Sequence, residues 1–114
     1  MYTVDTNALI YYLDGDESVS AFFDRLIENR LPIHVSGVTE TELFGYAPLT
    51  ESNMESIEQI LGLCVTIPTN PHITRLAGAL RRQYGVKTVD AIIAATALFT
   101  NSILVSDTNG AAKL

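Results

Sequence analysis

Cysteine is almost missing from this 114-residue chain: Cys64 is the one thiol, so no internal disulfide can form. It sits in the apolar run Leu63-Cys64-Val65 and reads as a buried, reduced thiol. Histidine is scarce as well. His34 and His72 stand apart from any second ligand at metal spacing, which argues against a zinc site. Basic residues are few, 7 against 13 acidic, for a net charge of −6. That balance argues against gripping DNA or RNA by surface charge alone, because phosphate binding needs cationic contacts. It leaves room for an enzyme whose carboxylates hold cations, since such ions reverse the local field. Long apolar runs are absent too. The best, residues 89–99, is interrupted by Asp90 and falls far short of the ~18 residues of a membrane span. The N-terminus has neither a positive n-region nor an apolar h-region, so a cytoplasmic protein without signal peptide or membrane contact is expected. Repeats and low-complexity segments are also lacking.

What remains is 47% apolar and 18% charged, enough for one hydrophobic core, and residues 1–114 read as a single domain. Tyr2-Thr3-Val4 is β-prone, and the chain turns at Asp5-Thr6-Asn7 into a short helix through Leu13. Asp14-Gly15-Asp16 opens a second helix with its apolar stripe on Val19, Phe22, Phe23, Leu26 and Ile27. Ile33-His34-Val35-Ser36 reads as a strand. A helix follows over 39–46, stopped at Pro48. Met54, Ile57, Ile60 and Leu61 mark another, entered through Thr50 or Ser52. Cys64-Val65-Thr66-Ile67 is a strand bounded by Pro68. Asn70-Pro71 caps and starts a helix that Gly85 closes. Residues 89–99 are apolar nearly all round and predict a helix buried in the centre. Ile103-Leu104-Val105 is the last strand of useful length. Strands alternating with helices predict an α/β fold with a small parallel sheet.

In open parallel sheets, ligands bind beyond the carboxyl ends of the strands. Asp5 follows the first strand, Asp107 the last, Glu42 lies about two turns beyond the Val35 strand, and Asp90 opens the apolar helix. Each acid has a structural alternative. The Asp5 corner can cap a helix through Thr6 or Asn7. Thr39-x-x-Glu42 fits a capping box. Asp90 can be a first-turn charge on a helix capped by Thr88. Asp107-Thr108-Asn109-Gly110 is a turn sequence. Together, four acids at one sheet edge repel by several kcal/mol at ~4–6 Å, a cluster that survives by protonation or by holding a cation. All-oxygen donors suit Mg²⁺ or Mn²⁺, and such a site suits phosphodiester hydrolysis.

The same residues carry a family resemblance. Val4-Asp5-Thr6-Asn7 with Ala8-Leu9-Ile10, Ser36-x-x-Thr39-x-x-Glu42-Leu43 with Gly45 soon after, residues 89–97 around Asp90, and Ile103-Leu104-Val105-Ser106 with a polar acidic turn run in order along the chain. They resemble the four motifs of the PIN domain, and in particular the toxin of VapB–VapC toxin–antitoxin pairs. The resemblance implies a three-layer α/β/α fold with helices on both faces of the sheet, and a Mg²⁺- or Mn²⁺-dependent ribonuclease. It also implies a homodimer and a VapB-type antitoxin as partner. Asp5, Glu42, Asp90 and, at the fourth position, Asp107 carry over as catalytic acids, with Asp5, Asp90 and Asp107 as metal ligands. Thr6, Asn7, Ser106 and Asn109 stand in support, Asn109 being the rival of Asp107 for the fourth position. The family's Asp-Phe and final strand are missing from Gly110-Ala111-Ala112-Lys113-Leu114, so the tail reads as shortened or altered.

Arg75, Arg82 and Lys87, with Arg81 and Tyr84 nearby, form the basic cluster expected to meet RNA. The apolar run Ile10-Tyr11-Tyr12-Leu13 with Ile57 and Leu61 is the expected dimer surface. The rival reading is a PIN-like binding or scaffold module without chemistry. A haloacid-dehalogenase-type phosphatase would need a second acid at Asn7, and a phosphate receiver would need an acidic pair and a lysine that are not found.

Overall fold

A computed structural model describes residues 1–46 and 49–106, and the backbone of 112–113. The expected elements are present in the expected order, with one short strand added at the end. They are β1 (Tyr2–Val4), α1 (Thr6–Leu13), α2 (Glu17–Glu28), β2 (Ile33–Ser36), α3 (Gly37–Phe44) and α4 (Glu51–Gly62). They continue as β3 (Val65–Ile67), α5 (Pro71–Tyr84), α6 (Thr88–Phe99), β4 (Ile103–Val105) and β5 (Ala112–Lys113).

The sheet runs β3-β2-β1-β4-β5. The first four strands are parallel, with Val4 opposite Val35 on one side and Val105 on the other. β5 was not expected: two residues pair antiparallel with Leu104 and Val105. An antiparallel pair that short needs no long apolar run, so the composition of the tail does not announce it. Alternation across the strands separates two layers. Val4, Ile33, Val35 and Val105 pack with Ala8, Leu9, Val19, Phe23, Leu26, Leu43, Ile57 and Ile60 of α1–α4. Thr3 and His34, one residue out of phase, belong to the other face, where Thr3 Oγ1 lies 3.3 Å from Thr100 Oγ1 just beyond α6. α5 and α6 pack on each other through Ile73, Ala77, Ala91 and Ala95, with Ile67 against them.

Helix starts follow local chemistry. Asp16 caps α2 by accepting from Val19 N (3.0 Å), and this bond, with a second from Ser18, lowers its pKa. Thr50, not Ser52, caps α4, and Asn70 caps α5 with Pro71 behind it. Gly85 ends α5 at φ 68°, a left-handed conformation that favours glycine.

Several expectations need correction. α3 begins two residues earlier than expected because Ser36, the last residue of β2, serves as its cap. Thr39 is therefore an interior, fully buried residue, and no capping box forms with Glu42. α6 starts at Thr88 itself, with Lys87 in the cap position and no side-chain cap. α6 is only partly central: Ala91, Ile93, Ala95 and Ala97 are buried, whereas Leu98 and Phe99 are 59% and 45% exposed. Cys64 lies just before β3 and is half-buried; burial pushes its thiol up to about 11. Of the expected dimer surface, Ile57 is buried in the core, whereas Ile10–Leu13 and Leu61 pack against that cluster and stay partly exposed.

Candidate active site

The chain leaves β1 toward β2 and β3, then returns to place β4 on β1's other side. The carboxyl ends of β1 and β4 thus flank the point where the winding reverses, the place where open parallel sheets bind ligands. Asp5 N–H donates to Val105 O (3.0 Å), tying the end of β1 to β4 at this point.

Beyond these strand ends lies a cleft of about 760 Å³, lined by Asp5, Thr6, Asn7, Ile10, Glu42, Gly45, Tyr46, Lys87, Thr88, Val89, Asp90 and Ile93. Three of the four acids singled out from the sequence meet here, from the start of α1, the second half of α3 and the first turn of α6. Asp107 and Asn109 lie outside the described residues. Ser106 follows β4 and is half-buried.

Each acid is held differently. Asp5 is the cap of α1, and its Oδ1 accepts from Ala8 N at 2.8 Å. The carboxylate does this itself, rather than Thr6 or Asn7. Capping and lining the cleft are therefore compatible roles for one side chain. Thr6 is buried and donates through Oγ1 to Glu42 Oε1 (2.5 Å), while lying 3.3 Å from the buried Thr39 Oγ1. The second and first motifs are joined by this hydroxyl, which orients the otherwise exposed Glu42. Asp90 is exposed and sits in the first turn of α6, where the helix dipole favours a negative charge. Gly45 closes α3 at the cleft, and a Cβ there would meet Thr41 O at 3.1 Å, so the chain turns more easily with glycine.

Among the described residues no three His, Cys, Asp or Glu side chains stand close enough to grip an ion as they are arranged. The donor set of Asp5, Glu42 and Asp90 nevertheless suits a hard divalent cation in kind: it is all oxygen, with no histidine or thiol in the lining.

Of the basic residues, Lys87 lines the cleft, whereas Arg75 and Arg82 are exposed on α5 outside it. Arg81 Nε donates to Val86 O (3.2 Å), just before Lys87. Tyr46 is a residue that motif reading passes over. It is 57% exposed and lines the cleft directly after α3. Its sequence signal is only an aromatic residue placed after the helix-ending Gly45. His34 is buried on β2 away from this lining, with Nδ1 unpartnered among the described residues. His72 is exposed, its ring 5.5 Å from that of Phe99. Among the described residues no helix is long and apolar enough to cross a membrane.

Comparison with known proteins agrees with this fold. A toxin–antitoxin complex from Klebsiella pneumoniae contains a chain 26% identical, superposing with a TM-score of 0.75 over 91% of this chain and 83% of that one. VapBC2 from Rickettsia felis, bound to a DNA fragment from its promoter, gives 25% identity and a TM-score of 0.77 over 90% and 84%. VapC20 of Mycobacterium tuberculosis, described as a toxin cleaving the sarcin–ricin loop, shares the fold at 16% identity and a TM-score of 0.66, over 94% and 89%. No curated protein sequence matches at a significant level. The PIN domain family matches residues 2–112, nearly the whole chain, and with its acids brought to the switch point of a parallel sheet this chain belongs to that family.

Proposed function

We propose that the protein is a divalent-metal-dependent endoribonuclease and the toxin of a VapB–VapC-type toxin–antitoxin pair. The observation that carries this reading is the convergence of Asp5, Glu42 and Asp90 from three separate elements on one cleft. The toxin–antitoxin complexes among the structural relatives support the biological role and a VapB-type antitoxin as partner.

Asp5 and Asp90 would hold Mg²⁺ or Mn²⁺ between the starts of α1 and α6. Glu42, oriented by Thr6, would complete the ring or align a water; Asn7 lies beside them, and Ser106 with Asp107 or Asn109 would serve the fourth position. A bound divalent cation would neutralise charge developing on the phosphate and make a water more acidic. The cleft sets three carboxylates and the Lys87 ammonium in one lining, so the cationic side chain can meet the strand's phosphates while the acids hold the metal. Tyr46 presents an aromatic face suited to an unpaired base, which favours single-stranded or loop RNA. Arg75 and Arg82 would add long-range attraction from α5. A homodimer rests on family likeness, and Ile10–Leu13 and Leu61, partly exposed, remain its candidate surface.

The deciding experiment is cleavage of loop-containing RNA with Mg²⁺, Mn²⁺ or EDTA. Wild type should cut with either metal and stop with EDTA, and Asp5→Asn and Asp90→Asn should each abolish cutting. Undiminished cleavage by Asp90→Asn would remove the metal assignment. Absence of cleavage under every metal, with RNA or an antitoxin peptide still bound, would favour the binding-module reading.

A further inference from the structure

Among the described residues, five of the six helices begin on a side chain that accepts a backbone N–H: Asp5, Asp16, Ser36, Thr50 and Asn70. The exception is α6, the helix that brings Asp90 to the cleft. Its cap position holds Lys87, which makes no side-chain cap bond. For helix stability this is the wrong residue. An ammonium has no acceptor to offer the first N–H groups, and its charge opposes the positive end of the helix dipole. The neighbouring Thr88 would serve as a cap in the ordinary way, yet it lies inside the helix.

A residue that is poor for its element and lines a functional cleft calls for a functional explanation. The cleft carries three carboxylates, the chain has net charge −6, and RNA brings one negative charge per phosphate. The side chain that lines the cleft and carries positive charge is Lys87. Its approach is also directed. Gly85 turns the chain at φ 68°, its N–H donates to Arg81 O (2.9 Å), and Arg81 Nε returns a bond to Val86 O (3.2 Å). The loop of 85–87 is thereby tied back to the end of α5.

We propose that Lys87 is a substrate-positioning residue that takes a backbone phosphate of the RNA strand in the cleft, and that α6 forgoes its cap to place it there. The proposal rests on the nuclease reading for the identity of the ligand. It goes further in naming the contact, in separating Lys87 from the outlying Arg75 and Arg82, and in making Arg81 its support.

The test is the paired measurement of stability and binding in Lys87→Asn, which supplies a cap and removes the cation. Binding of a fluorescent single-stranded RNA oligonucleotide is measured by anisotropy across a salt series, with Ca²⁺ in place of Mg²⁺. Lys87→Asn should melt higher than wild type and bind about tenfold more weakly. The slope of log K against log salt should shrink by about 0.7, the value of one phosphate contact on a single strand. Arg25→Gln, which removes the same charge from α2, should leave that slope unchanged. Arg81→Ala should weaken binding while keeping the slope, because the cation remains but is less well placed. Unchanged affinity and slope in Lys87→Asn would overturn the proposal. So would weaker binding accompanied by a lower melting temperature, which would make Lys87 a residue of the fold. If wild type bound RNA but cut none with Mg²⁺ or Mn²⁺, the nuclease reading would fail while these binding results still decided the role of Lys87.

Discussion

His34 shows how one side chain can set a pH limit on a fold. It is buried on β2, its Nδ1 has no partner among the described residues, and burial, then the N-terminal charge, lowers its pKa from 6.5. Below about pH 6.5 the unfolded chain takes up a proton that the folded chain refuses, so stability falls as pH drops from there toward the folded pKa. His34→Leu should flatten this segment of the profile. Urea midpoints at pH 7.5 and 5.5 test it, and parallel losses in variant and wild type would reject it. Thr6 is a second decisive residue. Its hydroxyl joins Glu42, so Thr6→Val, similar in shape, should lower cleavage by roughly tenfold or more through a misaligned carboxylate. The loss should appear in kcat more than in KM, and an unchanged kcat would deny Thr6 its orienting role. Cys64 follows a plainer rule: with its thiol pushed up to about 11, iodoacetamide should label it far more slowly at pH 8 than an unfolded control.

At the scale of elements, caps place two of the acids: Asp5 is itself the cap of α1, and Ser36 starts the helix that carries Glu42. Ser36 ends β2 and starts α3 at once, so Ser36→Ala should destabilise the fold by about 1 kcal/mol and also disturb Glu42, visible as a lower urea midpoint with weaker cleavage. An unaltered midpoint would show the cap to be dispensable. This junction also marks the limit of what the sequence reveals. Asn70-Pro71 and Gly85 announce the ends of α5 because both signals are local. The start of α3 is contested by two hydroxyls, Ser36 and Thr39, and the choice falls to packing: Thr39 is needed inside, beside Thr6 from the first motif. Periodicity cannot see that contact across 33 residues of chain. The apolar character of α6 likewise gives the helix but not its exposed end at Leu98 and Phe99, because composition carries no direction. Asp5 and Asp90 are legible because one follows a strand and the other opens a helix, and the parallel topology collects such positions at one edge. Glu42, in the second half of α3, is legible through its spacing from the Val35 strand and its motif. Tyr46 and the missing cap at Lys87 lack any such rule.

For the whole molecule, the separation of duties between faces is the main consequence of the topology. α1–α4 share one core with the sheet, whereas α5 and α6 meet through a smaller cluster of Ile73, Ala77, Ala91 and Ala95. The cleft lies where α1, α3 and α6 approach, so an ion held by Asp5 and Asp90 would link α6 to the larger core. Metal binding should therefore stabilise the native state as a unit. At a concentration ~100 times the dissociation constant it contributes about 2.7 kcal/mol, a rise of roughly 10 °C or more in melting temperature for a domain of this size. Glu42 and Asp90 are exposed, so solvent already screens their mutual repulsion in the absence of metal. Asp90→Asn should consequently change the metal-free melting temperature little, yet remove most of the rise produced by Mg²⁺ or Mn²⁺. Thermal melts of both proteins over a metal titration measure the two effects separately. A wild-type curve indifferent to both ions, or an Asp90→Asn curve that rises with them as far as wild type, would show that the cleft does not hold its cation through this residue.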